Sequence, residues 1–314
     1  MLGKKSTKFI LAPMAGFSDQ PFRRLCIKNG ADEVVTELLS ANALARDNGK
    51  TLRMAEIHPE ERPASIQIFG SDPHIMADAA MRIEELKPKF IDINMGCPVR
   101  KVRKGGSGSA LLESPKLAGE IVKRVVDAVK TPVSVKIRTG KNSKDKRGLD
   151  VALEAAQNGI SRITIHARTV EDMFSGPIDY TFASEVKKRV NVEIIGNGDI
   201  KSIKDAEKWL ELTEVDGLMI GRGALGIPSI FSEMKNGRDA KPLENLDTIL
   251  LHCQWMEEFY GNHGIGPMRG HLMYYLRGMP LAKQVRGLIN KAETFAEIRD
   301  IVEKFLGSKM EDAA

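Results

Sequence analysis

The stretch from Asn94 to Ala110, NMGCPVRKVRKGGSGSA, places one cysteine before four positive charges and a run of glycines. Pro98 disfavours helical geometry at the preceding residue, so the Cys97 thiol is expected on an extended turn. Three roles are open to this thiol: a nucleophile whose pKa is lowered by Arg100 and Lys101, a general acid that stays protonated, or a small packing group. The glycines predict a loop that can close over a ligand.

The runs VSVKIR (133–138) and RITIHAR (162–168) each carry a titratable side chain among alternating apolar residues. If Lys136 points into the protein, its burial requires a negative partner such as a phosphate. If it points outward, its stem covers apolar surface and its amine reaches solvent. Two roles are likewise open for His166: a hydrogen-bonded side chain in the core, or a catalytic side chain.

Two glycine-rich segments, Gly196-Asn197-Gly198-Asp199 and Gly221-Arg222-Gly223, follow later apolar runs. In a barrel, the loops after strands seven and eight bind phosphate, and glycine lets the backbone N–H groups come close to it. Arg222 would add a bidentate partner. The other interpretation is that these glycines only form tight turns. The segment GRGALG also matches a dinucleotide fingerprint, but it follows the last predicted strand instead of opening a nucleotide-binding unit.

Short apolar runs alternate along the chain with segments whose apolar residues recur at helical spacing. Helix starts are expected at Ser71-Asp72-Pro73 and Ser114-Pro115, where a capping side chain precedes a proline. The alternation predicts an α/β fold, a (β/α)8 TIM barrel, with a doubly wound open sheet as the alternative. The eight predicted strands are 9–13, 33–37, 64–70, 90–96, 133–138, 162–168, 192–198 and 217–223.

The strand pattern stops after Met234, and residues 245–306 have the apolar spacing of several helices. The sequence therefore predicts a catalytic barrel domain at 1–240 and a small all-helical domain at 241–314. In such a barrel the active site lies at the C-terminal ends of the strands, where the basic segments 100–104 and 141–147 would both open. This convergence favours a polyanionic partner over an ordinary solvated surface.

Composition and charge limit the classes of protein that remain. The 314-residue chain is 42% hydrophobic and carries a formal net charge of +5. It contains no apolar run long enough to span a bilayer. Its three widely spaced cysteines form neither a metal motif nor a disulfide framework, which predicts a cytoplasmic protein without a metal. Residues 259–292 contain five lysines and arginines and no acid, so this segment is a candidate for phosphate contacts.

Several motifs in fixed order resemble the tRNA-dihydrouridine synthases, most closely their bacterial B-type subfamily. The resemblance covers nearly the whole chain, and the combination of APMAG, NMGCP and NGDI is highly specific. It implies an FMN-binding barrel followed by a helical tRNA-binding domain. The matching segments are APMAG (12–16), FGSDP (69–73), DINMGCP (92–98), VKIRTG (135–140), IHART (165–169), NGDI (197–200), GRGALGIP (221–228) and RGHLMYYLRGMP (269–280).

The resemblance also implies a reaction and roles for individual residues. FMN would lie across the mouth of the barrel, NADPH or NADH would reduce it, and a uridine in the D-loop of tRNA would be reduced to 5,6-dihydrouridine with Cys97 as proton donor. Residues expected to bind FMN are Pro13, Met14, Ala15, Gln67, Lys136, His166, Asn197, Gly198, Asp199, Gly221 and Arg222. Residues expected to bind the tRNA substrate are Asn94, Arg100, Lys101, Arg168, Arg269 and Arg277.

Three other functions are open from the sequence. The nearest is an FMN barrel that acts on a free pyrimidine, such as the dihydroorotate and dihydropyrimidine dehydrogenases, although that substrate needs no basic helical domain. The second is a flavin-free lyase or isomerase of a sugar phosphate. The third is an RNA chaperone that binds tRNA without catalysis. The default expectation for the oligomeric state is a monomer.

Overall fold

Parallel strands form a closed ring in the computed structural model, which describes residues 7–240 and 246–311. The strands are β1 (Lys8–Leu11), β2 (Glu33–Val35), β3 (Leu39–Ser40), β4 (Ala64–Phe69), β5 (Ile91–Met95), β6 (Val133–Arg138), β7 (Arg162–His166), β8 (Glu193–Asn197) and β9 (Gly217–Ile220). Because β2 pairs with both β1 and β4, eight of the described strands close into a barrel, and β3 only extends beside β4. The predicted (β/α)8 barrel is confirmed, and the open sheet is excluded.

Helices connect the strands and cover the outside of the barrel. They are α1 (Gln20–Lys28), α2 (Ala41–Ala45), α3 (Gly49–Ala55), α4 (Pro73–Glu84), α5 (Arg100–Arg103), α6 (Pro115–Ala128), α7 (Arg147–Gln157), α8 (Tyr180–Arg189), α9 (Ile203–Thr213) and α10 (Ile230–Lys235). The Asp72 side chain caps α4, as predicted. The capping expectation is wrong at Ser114, whose side chain makes no capping hydrogen bond. Ser114 also ends a preceding 3₁₀ helix, and its ψ of 73° departs from the extended geometry that a cap requires.

Alternation along the strands separates two layers of side chains. Those that point outward are mainly aliphatic and pack under the helices in one continuous core. Inside the barrel, Ile10, Val35, Ile195 and Met219 form a small apolar cluster on the neighbouring strands β8, β9, β1 and β2. Much of the remaining interior is polar and buried, and it contains Glu33, Ser65, Gln67, Asp92, Asn94, Ser134 and Arg162.

Arg162 lies between two carboxylates at the N-terminal end of the barrel. Its guanidinium is 2.6 Å from Glu33 and 2.5 Å from Glu193, and the Lys89 amine is 3.1 Å from Glu33. Because buried charges are costly unless they are paired, these contacts allow charged side chains to fill this end of the barrel. We assign them a structural role, since barrel chemistry takes place at the opposite end.

The C-terminal residues form helices, as predicted, and these helices pack against the barrel. These are α11 (Leu246–Tyr260), α12 (Ile265–Tyr275), α13 (Ala282–Ile289) and α14 (Phe295–Glu311). They share the apolar core of the barrel, and the Arg24 guanidinium of α1 lies 4.0 Å from the centre of the Trp255 ring in α11. The predicted domain boundary at 240/241 adjoins residues outside the described ranges and stays a prediction. No described helix is both long and apolar enough to cross a membrane.

Buried polar side chains occupy the junction between α1 and the C-terminal helices. Asp19 caps α1 and also hydrogen-bonds Tyr260. The ligand-type atoms of Asp19, His252 and His271 lie within 4.8 Å of one another, and His252 Nδ1 is 2.9 Å from the Tyr275 hydroxyl. The Asp19 carboxylate is engaged by two donors, whereas Nε2 of His252 and Nε2 of His271 have no hydrogen-bond partner within the described ranges. We interpret this group as a buried polar junction between the two parts of the chain.

Burial shifts the pKa values in this junction in opposite directions. It raises the pKa of Asp19 to about 7, lowers the pKa of His271 to about 3 and holds the pKa of His252 well below its ordinary value. The folded protein therefore favours the neutral form of all three groups between these limits. As pH rises from about 4 to 7, the unfolded chain loses the Asp19 proton that the folded protein keeps, so the contribution of Asp19 to stability falls.

Asp19→Asn should remove this dependence, because asparagine is an equally good N-cap and does not titrate. The stability of the wild-type protein relative to the variant should decrease as pH rises from 5 to 7, by at most about 1.4 kcal/mol per pH unit. Urea unfolding of both proteins at pH 5, 6, 7 and 8 measures the difference. Parallel stability curves over this range would contradict a raised pKa at Asp19.

Candidate active site

A pocket opens at the C-terminal ends of the strands, where a barrel places its active site. Most residues predicted to bind FMN line it, and Ala15 and Gln67 do not. Arg168, which was predicted to bind tRNA, is part of the pocket wall. The lining residues are Ala12, Pro13, Met14, Lys136, His166, Arg168, Phe174, Asn197, Gly198, Asp199, Ile200, Lys201, Met219, Gly221, Arg222 and Gly223.

Lys136 points into the barrel, which decides between the two orientations left open by its sequence. Its Nζ lies 2.9 Å from Asn197 Oδ1, and Asn197 is held in place by donating its Nδ2 proton to the Met219 carbonyl oxygen at 2.8 Å. Burial lowers the pKa of Lys136 to about 7; the nearby Arg138 adds to this shift, and Asp92 opposes it. An anionic group in the pocket would therefore favour the charged form of the amine.

His166 forms part of the pocket wall near Lys136. Burial holds its pKa well below the ordinary value, and the positive charges of Lys136 and Arg138 act in the same direction. The imidazole is therefore neutral at physiological pH. In that form one ring nitrogen can donate a hydrogen bond and the other can accept one, and the ring adds no charge to the pocket.

Two arginines share the Asp199 carboxylate at the pocket edge. Arg168, which is 2% exposed, hydrogen-bonds one carboxylate oxygen, and Arg222 Nη2 lies 3.0 Å from the other. Arg168 Nη1 is buried and has no hydrogen-bond partner within the described ranges. A buried N–H group without an acceptor is costly, so a polar or anionic ligand atom beside Arg168 would be stabilised.

The loop after β8 turns sharply at Gly198. This residue has a φ of +145°, and a Cβ built there would lie 2.5 Å from Ile178 Cδ1. Asp199 follows with a φ of 46°, in the left-handed region. The turn therefore requires glycine at position 198, and it directs this loop along the pocket.

Cys97 lies on a turn beyond β5, as Pro98 predicted. The Cys97 backbone N–H donates to Asn94 Oδ1 at 2.9 Å, and Asn94 Nδ2 donates to Gln67 Oε1 at 2.7 Å. Gln67 is fully buried beneath this turn, which explains why it does not line the pocket. Asn94, predicted to contact the target uracil, thus already uses both ends of its amide to hold the cysteine turn.

The surroundings of Cys97 favour the protonated thiol. Burial raises its pKa above the ordinary value, and smaller opposing effects come from the Val99 backbone N–H and from the charges of Arg138 and Lys136. The exposed basic residues of α5 do not overcome the effect of burial. Of the three roles left open by the sequence, the direction of this shift favours a general acid over a nucleophile.

The residues predicted to bind the tRNA backbone differ in exposure. Arg100, Lys101 and Arg277 are exposed. Arg269 is half-buried, and its Nη2 donates to the Ala292 carbonyl oxygen at 2.5 Å. Arg269 therefore has a structural contact that a substitution would break, and Arg277 is the cleaner probe of this surface.

Phe174 and Asp92 bear on the site and were not among the site residues predicted from the sequence. Nor were five other lining residues, Ala12, Ile200, Lys201, Met219 and Gly223. Phe174 is 47% exposed in the loop after β7, and the guanidinium groups of Arg138 and Arg222 each lie 5.5 Å from its ring centre. Asp92 is buried inside the barrel, two residues before Asn94. The sequence did contain a signal for each of these two residues. Phe174 is an aromatic residue in a loop after a strand, and Asp92 is a carboxylate at an inward-facing strand position.

A closed parallel barrel with a cation-lined pocket at its C-terminal mouth places the protein among the α/β-barrel enzymes. The same fold is seen in the structure of histamine dehydrogenase from Rhizobium sp. 4-9, with a TM-score of 0.58 and 13% identity, over 79% of this chain and 48% of that one. The sequence pattern described as Dihydrouridine synthase (Dus) matches residues 10–310, and the chain belongs to this family.

Three relatives align with nearly the whole chain. The tRNA-dihydrouridine synthase B of Pseudomonas aeruginosa is 41% identical over 91% of this chain and 89% of its own length. The enzyme of the same name from Vibrio vulnificus is 41% identical over 90% of both chains. A probable tRNA-dihydrouridine synthase of Aquifex aeolicus is 41% identical over 96% of both. These similarities confirm the predicted bacterial B-type subfamily.

Gly198→Ala should destabilise the protein by about 2 kcal/mol, because alanine is strained at this φ; the Ile178 Cδ1 methyl group, at the end of a flexible side chain, can move aside. The matched control is Gly266→Ala, at a helical position with open space around the added methyl group, where the change should be neutral or stabilising by up to about 1 kcal/mol. Urea unfolding of both variants provides the comparison. Equal stability of the two would refute the special requirement at position 198.

Proposed function

We propose that this protein reduces the C5–C6 double bond of a uridine in tRNA to give 5,6-dihydrouridine, with FMN as bound cofactor and NADPH or NADH as reductant. The names of its relatives support the reaction. The observation that carries the proposal is the combination of a half-buried Cys97 thiol, whose pKa is raised by burial, with the basic side chains of Lys136 and Arg168 on the wall of a pocket in the same barrel mouth.

The donors of the pocket suit the phosphate and the ring of FMN. The unpartnered Nη1 of Arg168 is a buried donor on the pocket wall, and Lys136 is a buried amine that gains charge when an anion is near. Arg162 also leaves a nitrogen unpartnered, but it does not line the pocket. Among the described residues that line the pocket, the buried side-chain atom without a partner is therefore a cationic donor, which suits an anionic cofactor.

The family resemblance assigns the parts of FMN to residues, most of which line this pocket. Asn197, Gly198, Asp199, Gly221 and Arg222 would bind its ribityl and phosphate groups. Pro13, Met14, Lys136 and His166 would face its ring; Ala15 is exposed, Gln67 is buried, and neither lines the pocket. When bound, FMN would supply the hydride for C6 of the uracil.

Cys97 would supply the proton. Its Sγ–H is kept in the acid form by burial, so it can deliver a proton to C5 of the uracil as C6 gains the hydride. The target base must leave its stack to reach a pocket inside a barrel mouth, and a uridine in the D-loop of tRNA is our proposed target. Asn94 would meet the extruded base through its remaining N–H, beside the turn that it holds.

The exposed basic residues would bind the tRNA backbone. Arg100 and Lys101 lie on α5, immediately beyond the Cys97 turn, and Arg277 follows α12 in the helical region. Contacts of this kind position nucleic acid through phosphates and carry no sequence information themselves. We propose that the protein acts as a cytoplasmic monomer without a metal.

The test is an anaerobic reaction of the purified yellow protein. NADPH reduces the flavin, and tRNA without dihydrouridine is then added while the flavin band is followed. Reoxidation by tRNA, but not by free uridine or orotate, would support the proposal. A flavin that stays reduced until a small pyrimidine is added would replace it with a free-pyrimidine dehydrogenase, and a protein without flavin absorption would exclude both.

Cys97→Ala should lower the rate of tRNA reduction by about 10²- to 10⁴-fold, the usual contribution of a general acid. FMN content and NADPH oxidation in the same protein serve as controls and should persist, because neither requires this proton. The measurement is single-turnover reoxidation of the reduced flavin by unmodified tRNA. Wild-type turnover in this variant would exclude Cys97 as the proton donor.

Arg277→Glu should weaken tRNA binding by about tenfold and reduce the salt dependence of binding by about one phosphate contact. Lys188→Glu, an equally exposed charge reversal on α8, is the matched control and should change neither. Filter binding across a series of salt concentrations measures both quantities, and flavin reduction by NADPH should be unchanged. Identical behaviour of the two variants would show that tRNA does not contact Arg277.

A further inference from the structure

We propose that Asp92 is a positioning residue that sets the polarity of a hydrogen-bond chain ending at the backbone of Cys97. The proposal rests on the proposed role of Cys97 as proton donor and concerns a carboxylate that does not line the pocket. The chain passes from Asp92 through Gln67 and Asn94 to the turn that carries the thiol.

The chain begins at a carboxylate buried inside the barrel. Asp92 is 5% exposed; its Oδ1 accepts from Ser134 Oγ at 2.6 Å and its Oδ2 accepts from Gln67 Nε2 at 2.6 Å. The three residues lie on adjacent strands, because β5 pairs with β4 on one side and with β6 on the other. Strand register therefore brings both donors to the same carboxyl group.

The chain continues upward to the cysteine turn. Gln67 Oε1 accepts from Asn94 Nδ2 at 2.7 Å, and Asn94 Oδ1 accepts from the Cys97 backbone N–H at 2.9 Å and from the Gly96 N–H at 3.3 Å. Each link joins a buried side chain to the next. Only at the turn does the chain reach a residue that is half-exposed.

The direction of the links is fixed from both ends, by the acceptor Asp92 and by the backbone N–H groups of Gly96 and Cys97. An amide can be reversed, so Gln67 and Asn94 could each present either an oxygen or an NH2 group to a neighbour. The Oδ2 atom of Asp92 faces Gln67 as an acceptor, which fixes Gln67 Nε2 toward it and Gln67 Oε1 toward Asn94. Asn94 must then turn its NH2 group to Gln67 and its oxygen to the Cys97 turn.

Reversal of the chain would release the turn. With Asn94 reversed, its NH2 group would face the N–H groups of Gly96 and Cys97, and two donors would oppose each other without an acceptor between them. A displacement of about 1 Å in a reacting group can reduce a rate by about a hundredfold. Asp92 thus acts on the proton donor through the backbone and touches neither substrate nor cofactor.

A competing explanation of any effect at Asp92 is its negative charge near Lys136. Asp92→Leu removes both the acceptor and the charge. Asp92→Asn removes only the charge, because its Oδ1 can still accept from Gln67 while its NH2 group donates to Ser134 Oγ, which also accepts. Ser134→Ala is the control that removes the other contact of the carboxylate and leaves the chain to Cys97 intact.

The first readout is the rate at which iodoacetamide alkylates the native holoenzyme. Cys26 and Cys253 are buried, so this rate reports the half-exposed thiol of Cys97. The second readout is kcat and KM for unmodified tRNA. Asp92→Leu should alkylate severalfold faster and lose about tenfold or more in kcat with little change in KM. Asp92→Asn and Ser134→Ala should both resemble the wild-type protein.

Two results would overturn the proposal: wild-type alkylation and kcat in Asp92→Leu, or equal losses in Asp92→Leu and Asp92→Asn, which would assign the effect to charge. If Asp92→Leu does not fold, Gln67→Met interrupts the same chain one link later and should give the same increase in alkylation. A wild-type protein that does not reduce tRNA would instead refute the proposed function, and the alkylation rates would still decide the role of Asp92.

Discussion

Closure of the sheet is the constraint on which the rest of the molecule depends. Once β2 pairs with both β1 and β4, alternate residues of eight strands face an interior that has little water to satisfy polar groups. The apolar cluster around Ile195 fills part of this space, and the remaining polar side chains must satisfy one another. The pairing of Arg162 with Glu33 and the contact of Lys136 with Asn197 both follow from that requirement.

The two ends of the barrel meet this requirement differently. At the N-terminal end Glu33 and Glu193 share Arg162 and pair with Lys89 and Lys8, so opposite charges lie together, which serves stability. At the C-terminal end Lys136 has an amide oxygen as its partner and Arg168 leaves a nitrogen without one. Positive groups are therefore incompletely compensated at the end where a barrel binds ligands, and the desolvation cost of burying them is offset when an anion binds.

The sequence predicted the strands well, because a buried parallel strand has a distinctive apolar run and proline marks the helix starts. It could not show whether Lys136 points into or out of the barrel. Alternation separates the two faces of a strand, but it does not show which face lies inside. It also could not show that Asn94 is held by Gln67, because partners on different strands depend on register. The same limit applies to Arg168. Its motif implied a contact with tRNA, but its burial beside Asp199 is visible only in the three-dimensional structure. The motif resemblance, not the pattern of residues, carried the functional prediction.

The helical region adds a second basic surface to the one near the site. Its helices share one core with the barrel, and α11 packs on α1, which follows the loop that carries Pro13 and Met14. A basic surface on this region and the basic helix beyond Cys97 can act on one substrate only if that substrate is long enough to reach both. A free pyrimidine contacts the pocket alone and gains nothing from Arg277. A folded tRNA would present a phosphate backbone to both surfaces while one extruded base entered the barrel, so the architecture that partly buries Cys97 also suits the proposed polymeric substrate.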